Sequence, residues 1–236
     1  MDLIRDIEGE AYERGVRIAD EKGCALIPLC PANGHFTREN IVELLECVAQ
    51  NFSKIHLFVP DEPTLLTYEA VGYPTGKASQ KLSKERRQLT KRGGDAMQGR
   101  PHKLWDWESI KDHPTYIAEI ERLESLYSRH GSLWKTVRSE TRQVLFNTLL
   151  NMRRTSSAHI HPSLAEVDAS FEVPDERIEI GTPYVLNELA FLTAAPTILN
   201  EDRLAYVYHR EWMLDEYIEG KFDGDPKPNL GFAVIR

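Results

Sequence analysis

Two short apolar runs joined through one helix constrain this chain more than any other feature. Cys24 to Leu29 forms a continuous apolar run that reads as a buried strand, and it stops in the turn Cys30-Pro-Ala-Asn-Gly-His35. Thr37 is a helix N-cap, and Ile41, Leu44, Leu45, Val48 and Phe52 follow at helical spacing. Ile55 to Val59 is a second strand, closed by Pro60-Asp61-Glu62. Strand, helix and strand at this spacing predict a βαβ unit with a right-handed crossover. Open sheets of that kind bind ligands beyond the carboxyl ends of their strands. Cys30 is then expected at the mouth of the sheet with Asn33 and His35 beside it. Two readings fit that position: a thiol nucleophile, or a buried structural cysteine in a tight turn.

A length of 236 residues with 41% hydrophobic content predicts a single domain over residues 1–236. No window reaches the roughly 18 apolar residues of a membrane span, and Met-Asp-Leu-Ile-Arg-Asp is not a signal-peptide start. Cys24, Cys30 and Cys47 have no metal-ligand spacing, and His159 and His161 read as loop residues. The expectation is a cytoplasmic protein with no metal and no cofactor. The net charge of −8 argues against wholesale nucleic-acid binding, yet it hides an asymmetry. Residues 77–103 carry +7, leaving −15 for the remainder. Along a helix, Lys77, Lys81, Lys84, Arg87, Lys91 and Arg92 fall in one stripe, with Ala78, Leu82 and Leu89 on the adjacent face. Such a stripe is either a solvated face or a phosphate-backbone surface; its near-uniform sign favours the second.

Residues 1–22 read as a helix or arm, and the basic helix is expected to end at Gly93-Gly94. A loop over 94–108 anchored by Trp105 and Trp107 should follow, then helices over 108–129 and from Trp134 to Met152. Residues 155–181 read as loop-rich with a short strand at Ile178-Ile180. Thr182 and Pro183 predict a helix start, which places Tyr184 and Glu188 one turn apart on a buried helix. That pair is either an interior hydrogen bond or part of a site where burial raises a carboxyl pKa. A strand over 203–209 carries Tyr206, Tyr208 and His209, a helix over 211–219 stops at Gly220, and residues 231–236 form the last strand. The pattern predicts an α/β Rossmann-like sandwich with a mostly parallel sheet.

Four segments together resemble the cyclodipeptide synthases. Pro28-Leu-Cys-Pro-Ala-Asn-Gly-His-Phe36 is similar to the family's G-[IV]-S-x-x-N-S-Y-F segment, with Cys30 at the serine. Gly72-Tyr-Pro74 precedes a basic helix, Tyr184-Val-Leu-Asn-Glu-Leu-Ala-Phe191 is similar to Y-[VIL]-x-x-E-x-P-[FL], and Tyr208-His209 is a late Tyr-His pair. The resemblance covers about residues 24–210. It departs at Pro28, Gly34, His35 and Ala190 as well as at Cys30. It implies a fold like the catalytic domains of class I tyrosyl- and tryptophanyl-tRNA synthetases, and an enzyme that joins the amino acids of two aminoacyl-tRNAs into a cyclic dipeptide. Cys30 would attack the first ester, the second substrate's amine would attack the thioester to give a dipeptidyl-enzyme, and that dipeptide's own amine would close the ring. Tyr184 and Glu188 would hold the first α-amino group, Tyr208 would relay protons, and Asn33 and His209 would complete the catalytic set. Leu26, Pro28, Phe58, Asp61 and Asn151 would contact substrate; Leu26, Pro28 and Phe58 imply an apolar or partly apolar niche, whereas Asp61 and Glu62, at the end of the second strand, would instead favour a cationic side chain such as arginine. The basic stripe would carry tRNA. The competing expectations are a non-catalytic RNA-binding domain on the same fold, and a cysteine hydrolase pairing Cys30 with His35 or His209.

Overall fold

The computed structural model describes residues 1–155 and 171–236, without the side chains of residues 154 and 155. The expected loop residues His159 and His161 lie outside the described residues. The sheet is built from β1 (Cys24–Pro28), β2 (Lys54–Val59), β3 (His102–Asp106), β4 (Leu204–Tyr208) and β5 (Leu230–Val234). Its order is β3-β2-β1-β4-β5, and every pairing between these strands is parallel. Among the described residues one isolated bridge, Leu3 to Ile235 and antiparallel, adds the N-terminal arm at the edge. All residues of β1, β4 and β5 are buried, which is why they read as unbroken apolar runs rather than alternating ones. Leu26, Ile27 and Phe58 are fully buried, each contributing about 1.5–3 kcal/mol of transfer free energy.

The helices are α1 (Glu10–Asp20), α2 (Arg38–Asn51), α3 (Asp61–Ala70), α4 (Thr75–Ala96), α5 (Pro114–Tyr127), α6 (Ser132–Thr155), α7 (Asp175–Leu199) and α8 (Leu214–Ile218). The βαβ unit of β1, α2 and β2 is as expected, with Thr37 Oγ1 accepting from Asn40 N at 3.2 Å as the cap. α7 packs on α3, α5 and α6, and α4 lies over β2.

Four elements differ from expectation. The basic helix does not stop at Gly93-Gly94 but runs to Ala96, because Gly93 is a contact residue rather than a terminator. A Cβ there would meet Leu29 Cδ1 at 2.9 Å and Leu57 Cδ1 at 3.1 Å, so its absence lets α4 lie close on the sheet. The expected loop after it contains β3, an edge strand whose half-exposed, charged residues carry no strand periodicity. Within it Trp105 donates to His56, while Trp107 is buried against Phe58 and Tyr116. The strand expected at Ile178-Ile180 is instead the first turns of α7, which begins at Asp175 after Pro174. Ile178 is buried with Leu145, Leu149 and Met152, and Thr182 Oγ1 donates back to Ile178 O at 2.8 Å instead of capping a new helix. The helices expected over 108–129 and 211–219 shorten to α5 and α8; His113 Nδ1 accepts from Thr115 N to cap α5, and Gly220, at φ +77°, ends α8 as expected.

Candidate active site

β1 and β4 are neighbours in the sheet although about 180 residues apart in the chain. The sheet's order reverses between them, so their carboxyl ends form the crevice in which open α/β sheets hold ligands. Cys30 follows β1, and Tyr208 ends β4. The turn after Cys30 is fixed by its own hydrogen bonds. Asn33 Oδ1 accepts from His35 N at 2.9 Å, and Asn40 Nδ2 donates to His35 O at 2.7 Å. Ala32 sits in the left-handed region at φ +64°, a conformation that costs a non-glycine residue about 1 kcal/mol or more. Asn33 Nδ2 points across the crevice to Tyr208 Oη at 3.0 Å and His209 Nε2 at 3.2 Å.

α7 brings the carboxylate. Cys30 Sγ donates to Glu188 Oε1 at 3.3 Å, and the Tyr184 hydroxyl lies within hydrogen-bonding reach of both groups. The exposures of Cys30, Tyr184, Glu188 and Tyr208 are 3%, 6%, 5% and 8%, so this polar cluster is buried, with only its edge facing the crevice. Burial pushes the Cys30 thiol well above its ordinary pKa, and the neighbouring Glu188 charge pushes the same way. Burial likewise raises Glu188, opposed by hydrogen bonds from Tyr184 and Cys30. Tyr184 and Tyr208 are also raised well above the phenol range by burial and by the Cys30 and Glu188 charges. His209 is lowered to about 3 by burial, then by His35 and Arg210, so it is neutral at any physiological pH. His35 stacks on it with centroids 3.8 Å apart. The arrangement is a neutral thiol bonded to a carboxylate that can take its proton, beside two neutral phenols.

Two cavities meet at Cys30. One, of about 270 Å³, runs from the turn to α4 and is lined by Tyr68, Lys81, Glu85, Gln88 and Arg92 as well as Phe36. The other, of about 110 Å³, lies toward α6 and is lined by Thr67, Asn147, Tyr184, Tyr208, His209 and Arg210. Cys30, Asn33, Thr148 and Asn151 line both. At Gly34, where the family pattern has serine, a Cβ would meet Asn151 Nδ2 at 2.7 Å, so a side chain there would displace the Asn151 amide.

The six expected catalytic residues therefore stand together, and Asn151 joins them. The other expected substrate contacts do not. Leu26, Pro28 and Phe58 line neither cavity; Phe58 packs on Phe191 at 4.0 Å between centroids. Asp61 lines neither cavity; it accepts from Trp107 N at 3.1 Å and pairs at 3.0 Å with Arg86, which it shares with Asp106. The basic stripe divides. Lys77, Lys84, Arg87 and Lys91 are exposed along α4, Lys91 reaching Asp95 at 2.9 Å. Lys81 and Arg92 turn to the larger cavity, where Lys81 pairs with Glu85 and Arg92 donates to Phe36 O at 3.2 Å. Tyr68, Glu85, Asn147 and Arg210 were missed; of these only Glu85, the one acid within the basic stripe of α4, leaves a mark in the sequence.

Among the described residues one cluster could hold a metal: Cys24, His56 and Glu201, at the opposite end of the sheet. Its hydrogen bonds speak against that use. Trp105 Nε1 donates to His56 Nδ1 at 3.0 Å, which leaves the proton on Nε2, facing Glu201 at 2.9 Å. An imidazole bound to metal through Nε2 carries its proton on Nδ1, where the indole N–H already points. Lys54 also pairs with Glu201. Among the described residues no helix is long and apolar enough to cross a membrane.

Five parallel strands with helices on both faces, and a buried thiol–carboxylate pair at the point where the strand order reverses, define a Rossmann-like α/β fold with a polar site at its crevice. The sequence pattern of the cyclodipeptide synthases matches residues 11–236, and the chain belongs to that family. The cyclo(L-leucyl-L-leucyl) synthase of Bacillus subtilis (strain 168) is 23% identical over 223 residues, covering 93% of this chain and 84% of that protein. A cyclodipeptide synthase from Bacillus thermoamylovorans has the same fold, with a TM-score of 0.81 at 21% identity over 96% of this chain and 94% of that one. A cyclodipeptide synthase from Candidatus Glomeribacter gigasporarum, determined bound to Phe-tRNAPhe, has a TM-score of 0.52 at 17% identity over 90% of this chain and 88% of that one.

Proposed function

We propose that this cyclodipeptide synthase joins the amino acids of two aminoacyl-tRNAs through acyl intermediates on Cys30 and releases a 2,5-diketopiperazine. The observation that carries the reading is the Cys30–Glu188 pair with a cavity opening on either side of it. In the first step Sγ attacks the ester carbonyl of one aminoacyl-tRNA. The S–H proton passes to Glu188 and on to the departing ribose oxygen, which leaves a thioester and a restored carboxylate. Because the resting thiol is neutral, attack and proton transfer must be coupled, the task for which a buried carboxyl of raised pKa is suited.

The second step follows from atom balance. Attack by the second substrate's amine on the thioester would free Cys30 and leave the dipeptide on tRNA. A dipeptidyl-enzyme therefore requires the opposite sense, the bound residue's amine attacking the second ester. This corrects the order expected from the sequence. That amine gives its proton to Glu188 and thence to the second ribose oxygen. The terminal amine then attacks the thioester, closing the ring and returning a proton to Sγ. Tyr184 and Glu188 hold the reacting amine. Tyr208, which stays protonated, relays by accepting and donating in one motion, with its hydroxyl fixed by Asn33. Ester and thioester are already activated, so orientation is the site's main contribution.

The exposed face of α4 carries tRNA through its phosphates, a reading supported by the relative that binds Phe-tRNAPhe. The hydrolase alternative loses ground because the Sγ proton points to Glu188 and His209 is engaged with Asn33. Incubating the protein with bulk charged bacterial tRNA and reading intact mass tests the proposal. An aminoacyl adduct mapped to the Cys30 peptide and absent from Cys30→Ala supports it; an adduct on another residue refutes the thiol mechanism.

A further inference from the structure

Glu85 is the only acidic residue between Thr75 and Gly94, a stretch of helix whose other charged residues are all cationic; the next acid, Asp95, lies in the helix's last turn. A carboxylate on such a surface repels the polyanion that the surface suits, unless its charge is used elsewhere. Here it is turned inward. Its Oε2 accepts from Ala32 N at 2.9 Å and from the Tyr68 hydroxyl, and its Oε1 pairs with Lys81 at 2.7 Å. Lys81 in turn lies over the rings of Tyr68 and Tyr73, at 5.3 and 5.9 Å. Burial alone would raise the Glu85 pKa, but the bonds from Lys81, Tyr68 and Ala32 hold it below the usual carboxylate range. The group is a fixed anion.

What it fixes is the backbone beside the nucleophile. Ala32 is the one residue of the Cys30 turn in the left-handed region, and Glu85 accepts its N–H. A charge-assisted bond of this kind contributes enough to hold a turn that alanine alone disfavours. If Ala32 relaxed, Asn33 would lose its aim at Tyr208 and His209, and Cys30 its aim at Glu188. Two turns further along α4, Arg92 ties the helix to the same segment through Phe36 O at 3.2 Å.

We propose that Glu85 is a positioning residue that couples polyanion docking on the outer face of α4 to the geometry of the Cys30 turn. The inference deepens the proposed tRNA-dependent reaction and rests on that reading. It separates Glu85 from the cationic residues of the same helix by sign. Losing a cation weakens tRNA binding, whereas losing Glu85 slows acyl transfer and leaves binding equal or tighter.

The test compares full-length wild type, Glu85→Ala and Glu85→Gln. Single-turnover acylation of Cys30 should slow about 30-fold or more in the alanine variant. In the glutamine variant, which keeps an acceptor for Ala32 N–H, it should slow no more than a few-fold. Affinity for bulk uncharged bacterial tRNA should not fall in either. Deuterium exchange gives a readout independent of catalysis: tRNA should slow exchange in the peptide spanning residues 30–36 of wild type and have no such effect in Glu85→Ala. Wild-type acylation rates in Glu85→Ala, a parallel loss of tRNA affinity, or tRNA protection that survives the substitution would each overturn the proposal. Absence of any acyl adduct on wild-type Cys30 would instead refute the parent reaction, while the exchange comparison still decides whether Glu85 couples the two surfaces.

Discussion

Replacing Glu188 with Gln removes the proton acceptor 3.3 Å from Cys30 Sγ and leaves the shape of the site nearly unchanged. Two effects of opposite sign should follow. The Cys30 thiol is pushed well above its ordinary pKa by burial and by the Glu188 charge, so free thiolate is scarce at neutral pH. Attack therefore depends on Glu188 taking the proton, and an amide cannot. Loss of a general base costs about 10²–10⁴ in rate, or about 3–5 kcal/mol of barrier. Folding moves the other way. Burial raises the Glu188 pKa above its unfolded value, so the native state favours the protonated carboxyl. That preference is fully present below the unfolded pKa and is lost as pH rises through the folded one, where a buried charge remains. Gln carries no such penalty. Relative to wild type, the variant should gain on the order of 1 kcal/mol at neutral pH, or about 2–4 °C in Tm, and the gain should vanish in acid. Single-turnover acylation followed by intact mass, beside thermal melts from pH 4 to 8, measures both. Unchanged acylation in Glu188→Gln, or activity lost together with Tm, would refute the assignment.

Lys84→Glu with Arg87→Glu should weaken tRNA binding at least tenfold. The salt dependence of log K should fall by about 1.4–1.8, because two cations no longer neutralise phosphates, and titrations at several salt concentrations would reveal it. Gly93→Ala should lower Tm although alanine favours helix by about 1 kcal/mol, because its Cβ would press on Leu29 and Leu57 in a packed core at a cost of about 1–3 kcal/mol. A melting temperature equal to or above wild type would mean that α4 can lift from the sheet at little cost.

The βαβ unit was legible because each level agreed: an apolar run, a capped helix and a second apolar run leave few alternatives. Cys30, Asn33, Tyr184, Glu188, Tyr208 and His209 could be gathered from distant segments only by resemblance; no periodicity links Cys30 to Glu188. What stayed hidden depended on contacts between elements. β3 is an edge strand with half-wet residues, so neither alternation nor an apolar run marks it. Gly93-Gly94 and Thr182-Pro183 look like helix boundaries, yet close packing on the sheet and the burial of Ile178 override them. Asp61 looks available to a cationic substrate because Arg86, 25 residues away, cannot be seen beside it in the sequence.

The most direct test is mass spectrometry of culture medium from a bacterial host expressing this chain, beside a Cys30→Ala control. The host supplies every aminoacyl-tRNA, so no choice of substrate is needed. A cyclic dipeptide made by the native chain and absent from the Cys30→Ala culture is the expected result, and comparison of its mass, fragments and retention with synthetic standards identifies both amino acids. The same product from the folded Cys30→Ala protein would contradict the thiol as nucleophile.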